Sequence, residues 1–388
     1  MTKISAEFTD KNNWTRLTQL DQIPTSIVRL IFEQSNSPFT SFEFLSSLEN
    51  SNCVGLKSGW LPQYFLYQNK QQVGLFISYQ KTHSYGEYVF DWAWADAYRR
   101  NGFGYYPKLV SAIPFSPVPC SKWLSNTDIC ELNALNAVIS QCLPNEFSGF
   151  HYLFPEQPLA QQDSEWVSRE GHQFHWFNQD EDKNLLTDFD QFLSLMTARK
   201  RKNIKKERAK VRNAGIEVYW RSGETVTAEE LDAFYHCYHS TYLKRGQMGY
   251  LNKVFFELLS QRLQQHVQIL FCRKDQRIIA AALYLKSEDT LYGRYWGSVE
   301  DNECLHFEAC YYQGIEYAIK HKLRCFNPGT QGEHKIARGF KPTKTYSYHK
   351  LTLAPFHQAI EDFCAQEITH NENYMQACEQ RLPFKVSD

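Results

Sequence analysis

The sequence predicts an α+β fold, a mixed sheet with helices on its faces, made twice in tandem. Three observations predict it. A chain of 388 residues is too long for one ordinary compact core. A 25-residue block recurs about 206 positions further along. Segments with helical periodicity flank both copies.

The elements follow in order. Pro38 to Glu49 (PFTSFEFLSSLE) puts Phe42, Leu45 and Leu48 on one helical face, with Ser41 as N-cap. The first copy, Tyr64 to Tyr88, and the second, Leu270 to Tyr295, each read as a short strand, a polar turn and a longer apolar strand. The turns are Gln68-Asn69-Lys70 and Lys274-Asp275-Gln276. A second polar turn and a strand beginning Tyr-Gly-x-Tyr complete each copy. A period this long indicates duplicated domains, because solenoid units run about 20–50 residues. Between the copies, Asp128 to Cys142 carries Leu132, Leu135 and Ile139 at helical spacing, with Asp128 as cap. After the second copy, Phe307 to His321 is a helix with Tyr311, Ile315 and Ala318 on one face, followed by a strand at Leu323 to Asn327. The polar stretch Asn178 to Asn184 marks the boundary, giving domains 1–180 and 181–388.

Composition narrows the function. Lys and Arg total 42 against 43 Asp and Glu, a net charge of −1, which excludes nucleic-acid binding through bulk positive charge and argues against DNA as a partner. Hydrophobic content of 43% with 22% charged residues excludes a disordered chain. The longest apolar runs, such as Ile278 to Leu285, fall far short of the roughly 20 residues that span a bilayer, and the N-terminus lacks a signal-type apolar stretch. A cytoplasmic protein is expected. The eleven cysteines include no C-x-x-C pair, so reduced, buried thiols are expected. Cys304, His306 and Cys310 lack the paired spacing of a zinc site, so no metal is expected.

Four stretches carry chemistry. Arg199 to Arg212 (RKRKNIKKERAKVR) holds nine Lys or Arg and one Glu, and Gly215 is a natural helix stop. Nine like charges repel one another, and a polyanionic partner offsets that repulsion: phosphates of coenzyme A, a transfer RNA or anionic lipid headgroups. A solvated helix face is the plainer reading. In the second stretch, Asn327 to Phe340 (NPGTQGEHKIARGF), a turn at Gly329 and Gly332 opens into a short helical segment bearing Glu333, His334, Lys335 and Arg338. Such a turn favours anions. In the third, Leu291 to Glu308, a strand with Arg294 and Trp296 leads to a helix headed by His306 and Glu308, either of which can take a proton from an amine. In the fourth, Ser84 to Tyr98, a strand would place Glu87 and Asp91 on one face and Trp92 and Trp94 on the other. That arrangement suits an amine with an apolar body. Core aromatics with edge charges remain the competing explanation. Motifs of nucleophilic hydrolysis, zinc proteolysis and dinucleotide redox are absent from the sequence.

Taken together, SYGEYVFDWAWADAY, YYPKL, RKRKNIKKER, LYGRYWG, HFE and GTQGEHKIARGF resemble the FemAB-like family of N-acyltransferases, over roughly residues 35 to 385. The resemblance implies two tandem GNAT-like domains. It also implies transfer of an acyl group from an activated donor to an amine, with no covalent intermediate and no bound cofactor. The cosubstrate would be a coenzyme A thioester, preferred over aminoacyl-tRNA. The acceptor would be the amine of a peptide, a lipid or a small molecule. Under this reading His306 or Glu308 is the base, with Glu333 and His334 as a second pair, and Tyr295 protonates the leaving group. Backbone amides from Tyr295 to Gly297 stabilise the oxyanion. Arg199, Lys200, Lys202, Gly329, Gly332, Lys335 and Arg338 hold the donor. Glu87, Asp91, Trp92, Trp94, Arg294 and Trp296 receive the acceptor. The [QR]-x-x-G-x-[GA] loop of coenzyme A-dependent GNAT enzymes has no good copy, which leaves the donor open. A non-catalytic module that recognises cell-wall or lipid precursors is the alternative, and peripheral contact of the basic helix with an anionic inner membrane is compatible with either.

Overall fold

The computed structural model describes residues 10–142, 146–159, 165–244, 246–330 and 332–385. Gln331 of the glycine-containing turn lies outside them. The chain forms two compact units, Met1–Gly171 with Lys344–Asn371 and His172–Thr343 with Glu372–Asp388. The expected division into 1–180 and 181–388 foresaw the number of units but not their interleaving.

The first unit contains β1 (Trp14–Leu17), α1 (Thr25–Phe32), α2 (Phe42–Asn50), β2 (Trp60–Asn69), β3 (Gln72–Lys81), α3 (Trp92–Arg100), β4 (Lys108–Ser111), β5 (Trp123–Ser125), α4 (Glu131–Gln141) and β6 (Gly149–Leu153). The chain then passes through β7 (Val167–Phe177) into the second unit. That unit comprises α5 (Phe189–Ser194), α6 (Ala198–Asn213), β8 (Glu217–Ser222), α7 (Ala228–Leu243), α8 (Lys253–Arg262), β9 (Val267–Lys274), β10 (Arg277–Lys286), β11 (Thr290–Ser298), α9 (Leu305–Phe307), a π-helical turn Glu308–Tyr312, α10 (Gln313–Lys320) and β12 (Cys325–Asn327). β13 (Lys341–Leu351) returns to the first unit, and α11 (Ala354–Glu379) follows it.

The strand orders are the same. In the first unit it is β1-β2-β3-β4-β6-β13, with β5 beside β3; in the second it is β8-β9-β10-β11-β12-β7. In each, β4–β6 or β11–β12 is the parallel pair, and the other strand pairs named here are antiparallel. The repeat is therefore real at its hairpin, where β2–β3 matches β9–β10. The second hairpin closes on Asp275 (φ 49°) and Gln276 (φ 62°), both left-handed, as a tight turn between right-twisted strands requires. The central strands of each unit are buried on both faces, and each unit has an apolar cluster at its centre. Phe65, Phe76, Trp123 and Tyr152 anchor the first; Trp176, Leu270, Tyr284 and Phe326 anchor the second.

Local signals behave as their chemistry dictates. The Ser41 hydroxyl accepts from the Phe44 amide at 3.2 Å and starts α2. The basic helix ends just before Gly215, which takes φ 70°. Cys130, not Asp128, is the N-cap of α4, and its side chain is exposed.

One expected element is wrong. Ser84 to Tyr98 is not a strand: residues 84–91 run through turns and bends, α3 begins at Trp92, and the strand that follows the β2–β3 hairpin is β4. Gly86 (φ 81°) and Tyr88 (φ 62°) break the extended run. Trp94 and Tyr98, four apart, then bury one face of α3. The two Tyr-Gly-x-Tyr strings are thus not equivalent in structure.

Candidate functional site

In the second unit, β11 and β12 pair only at Thr290–Cys325, Leu291–Phe326 and Tyr292–Asn327. Beyond Asn327 the chain turns away through Pro328 and Gly329 (φ 91°), while β11 continues along β10 to Ser298. A register shift opposite Leu283 and Tyr284 leaves Arg294 as an extra residue of β11, a bulge at the point of parting. The Trp296 carbonyl accepts from Thr241 Oγ1 at 3.2 Å, so Trp296 turns its backbone away from β10, and its N–H shares that edge. Gly297 allows this arrangement. A Cβ there would lie 1.8 Å from the Cys237 carbonyl oxygen of α7.

Nitrogen groups gather where the strands part. Lys335 is 2% exposed, and its Nζ donates to the Gly329 carbonyl at 2.6 Å. Burial, and then the Arg294 charge, lower its ammonium to about 7. Arg294 Nη1 donates to the Gly293 carbonyl at 2.8 Å and reaches Asn327 Oδ1 at 3.4 Å. Asn327 Nδ2 donates to Gln173 Oε1, which also meets His175 Nε2. His175 is held neutral, at about 3, by burial and by the Arg294 and Lys335 charges.

Beside them lies an aromatic and imidazole layer. His306 packs edge-on to Trp296 and Tyr311, and 5.9 Å from the His334 ring. Burial, with positive charge from His334, Lys335 and Arg338, lowers His306 to about 4. His334 Nε2 pairs with the Tyr311 hydroxyl at 2.7 Å. Gly332 (φ 115°) lets His334 fold back, since a Cβ there would lie 2.3 Å from the imidazole. A cavity of about 380 Å³ opens here, lined by Lys200, Glu333, His334, Ile336, Ala337 and Arg381.

Several expected site residues have other partners. Arg208 Nε and Nη2 bind the two oxygens of buried Glu308 at 3.0 and 2.8 Å, so this carboxylate is not a free base. Glu333 is exposed and joins Tyr374 and Arg381 near the chain's end. Tyr295 packs against Tyr238 and Phe256, whereas Trp296, the next residue, faces His306. Arg338 pairs with Glu207, donates to the His334 carbonyl and stacks 3.5 Å from the Phe307 ring. On α6, Arg199 and Lys202 are exposed, and Lys200 lines the cavity. Gln173, His175 and Arg381 were missed by sequence reasoning, since they come from distant elements with no local motif, whereas Tyr311 and Asn327 lie inside stretches it read without a role for them. The loop before α9 carries Glu300, Asp301 and Glu303, of which Asp301 pairs with Lys244 and Glu303 with Lys210 of α6.

The first unit holds a buried polar cluster. Glu87 and Asp91 do not share a strand face, yet both carboxylates reach Lys108 Nζ, Glu87 at 2.8 Å. Lys108 also donates to Ser84 Oγ at 2.9 Å, and the Tyr105 hydroxyl donates to Asp91 at 2.7 Å. Burial lifts the Glu87 carboxyl to about 7 against the pull of Lys108. Burial also pushes on Asp91, but Lys108 and His151 prevail and hold it at about 2. Trp94 packs edge-on to buried His349, whose Nδ1 meets His151 Nδ1 at 2.8 Å. Trp92 lies outside, against Tyr85.

The chain belongs to the FemAB-like family, described as peptidoglycan biosynthesis/recognition, which it matches over residues 6–386. The shared strand order of the two units agrees with the α+β fold of two tandem GNAT-like domains expected from that family. Among solved structures, FemX aligns with 89% of this chain and 100% of its own, at 10% identity and a TM-score of 0.48. A conserved protein of unknown function from Bacteroides thetaiotaomicron VPI-5482 aligns at 11% identity over 84% and 95% of the two chains, TM-score 0.49. A tandem GNAT protein from the clavulanic acid biosynthesis pathway aligns at 7% identity over 87% and 97%, TM-score 0.39. No curated protein matches. No helix among the described residues is long and apolar enough to cross a membrane.

Proposed function

We propose that the second unit catalyses N-acyl transfer from a phosphorylated carrier, a coenzyme A thioester or an aminoacyl-tRNA, to an amine. The observation that carries this reading is the parting of β11 and β12 beside a buried lysine whose ammonium is lowered to about 7. A base poised there is matched to neutral pH. The acceptor nitrogen attacks the acyl carbon, and a C–N bond forms as the C–S or C–O bond to the carrier breaks. Lys335, as the free amine, takes the proton that the nitrogen loses. The carrier's sulfur or oxygen leaves as the anion and is protonated in turn. The Trp296 N–H, on the edge facing away from β10, donates to the developing oxyanion. His306, neutral at pH 7, lines the acceptor's path.

Lys200 and Arg381 at the cavity, with Arg199 and Lys202 exposed on α6, attract the carrier's phosphates. The ion pairing of Glu308 and Glu333 favours a second reading, recognition without catalysis.

The test incubates the protein with a panel of acyl-CoAs and charged tRNAs together with peptide, lipid and small amine acceptors. Mass spectrometry then follows product formation. Donor-dependent amide that disappears in Lys335→Met supports transfer. Donor binding with no amide formed from any acceptor supports the recognition module.

A further inference from the structure

We propose that the first unit has a ligand site of its own, built on Glu87, Asp91 and His151, that takes a primary ammonium carried on an apolar body. Three buried polar atoms there lack a partner among the described residues: Glu87 Oε1, Asp91 Oδ1 and His151 Nε2. Their residues are 3%, 2% and 2% exposed, so bulk water does not satisfy them. Leaving such atoms without a hydrogen bond carries their full desolvation penalty.

The chemistry of these atoms selects the ligand. Two of the three are carboxylate oxygens, which only accept once ionised, and a cation arriving beside them favours the ionised form of Glu87. Lys108 has three N–H donors, and Ser84, Glu87 and Asp91 use them. The second buried lysine, Lys81, stands opposite Lys108 in the β3–β4 register. It donates instead to the Tyr85 carbonyl and lies 3.8 Å from the Trp60 ring. The cluster therefore lacks donors, and two carboxylates face one directly paired cation. An ammonium brings both three donors and a positive charge, whereas an anion or a carbonyl would bring neither.

The surroundings suit a cation with an apolar tail. Lys108 Nζ already lies 5.2 and 5.8 Å from the Tyr105 and Tyr106 rings, so aromatic faces wall the site. Ser84, Glu87 and Asp91 point inward from one stretch of irregular chain, and the same stretch turns Tyr85 (56% exposed) and Phe90 (59%) outward. Trp92, 41% exposed, packs 4.9 Å from Tyr85 at the start of α3. An exposed aromatic rim thus lies one loop away from an acidic floor.

The experiment titrates the full-length protein, with no acyl donor present, with n-octylammonium and with n-octanol, by calorimetry and tryptophan fluorescence. We expect octylammonium to bind at least ten times more tightly than octanol. Glu87→Gln and Asp91→Asn should each weaken it at least tenfold, and Tyr85→Ala, on the exposed rim, at least threefold. Equal affinity for the two probes, no binding by either, or unchanged affinity in folded carboxylate variants would overturn the site. If a carboxylate variant fails to fold by circular dichroism, the octanol comparison and Tyr85→Ala decide. Because no donor is present, the outcome is independent of whether the second unit catalyses transfer.

Discussion

Arg208 clamps Glu308 at both carboxylate oxygens, and its remaining nitrogen reaches Glu316 at 2.7 Å. A carboxylate held this way organises the π-helical turn it begins. Glu308→Gln should leave kcat within about threefold. It should lower unfolding stability by about 1–2 kcal/mol, since Arg208 loses charge-assisted bonds to Glu308 but keeps those to Glu316. Urea denaturation alongside an acyl-transfer assay separates the two effects. A kcat collapse with unchanged stability would restore Glu308 as the base.

The pH profile identifies the nitrogen that takes the proton. With Lys335 as base, kcat/KM should rise as pH increases through about 7, where its ammonium gives up its proton. With His306 the rise would come near 4. Lys335→Met should remove the upper limb and lower kcat by at least a hundredfold, in line with a lost general base.

Lys200 and Arg381 line the same cavity from opposite ends of the second unit's sequence. Charge reversal at either, Lys200→Glu or Arg381→Glu, should weaken carrier binding about tenfold at low salt, with the difference shrinking as ionic strength rises. Fluorescence titration with a labelled carrier in 20 and 500 mM salt, each roughly a threefold or greater change in screening length from the other, reads the effect.

Glu87 ties stability to pH in the first unit. Its folded carboxyl lies at about 7, above the unfolded value, so its protonated form is favoured by folding. The stabilisation is complete below the unfolded carboxylate range and is lost as pH rises through about 7, with a slope of at most about 1.4 kcal/mol per pH unit. Lys108 on β4, Lys81 on β3 and Asp91 on the same loop all act on it. Denaturation midpoints measured from pH 5 to 8 should fall in the wild type and flatten in Glu87→Gln.

Gly297→Ala places a methyl group against the backbone of α7, which has no rotamer with which to yield. The helix must shift from β11, at about 3 kcal/mol or more. Thermal unfolding checks the loss.

Much of this architecture was legible in the sequence because it rests on local rules. The Ser41 cap, the basic helix stopping before Gly215 and the two hairpins need only neighbours in sequence. Reading Ser84 to Tyr98 as a strand failed because period-two alternation of aromatics and acids also fits a turn that sends its acids inward. Lys108, which draws those acids in, lies 17 residues beyond Asp91. In the second unit His306, His334 and Lys335 were singled out from short strings, and the structure brings them together. Gln173 and His175 come from a strand more than a hundred residues earlier, where nothing in the local pattern marks them. The ion pairs of the carboxylates nominated as bases were not foreseen, because charge on a page does not reveal its partner. Arg208 and Arg381 supply those partners.

The exchange of outermost strands has a practical consequence. Cutting the gene after residue 180 would give a leading fragment without β13 and a trailing fragment without β7, each exposing an unsatisfied sheet margin prone to sticking to other molecules. Neither piece is a sound starting point for recombinant work. Only synthesis through Leu351 completes the amino-terminal sheet, so on the ribosome that half must wait until the strands β8 to β12 of the other half have been made.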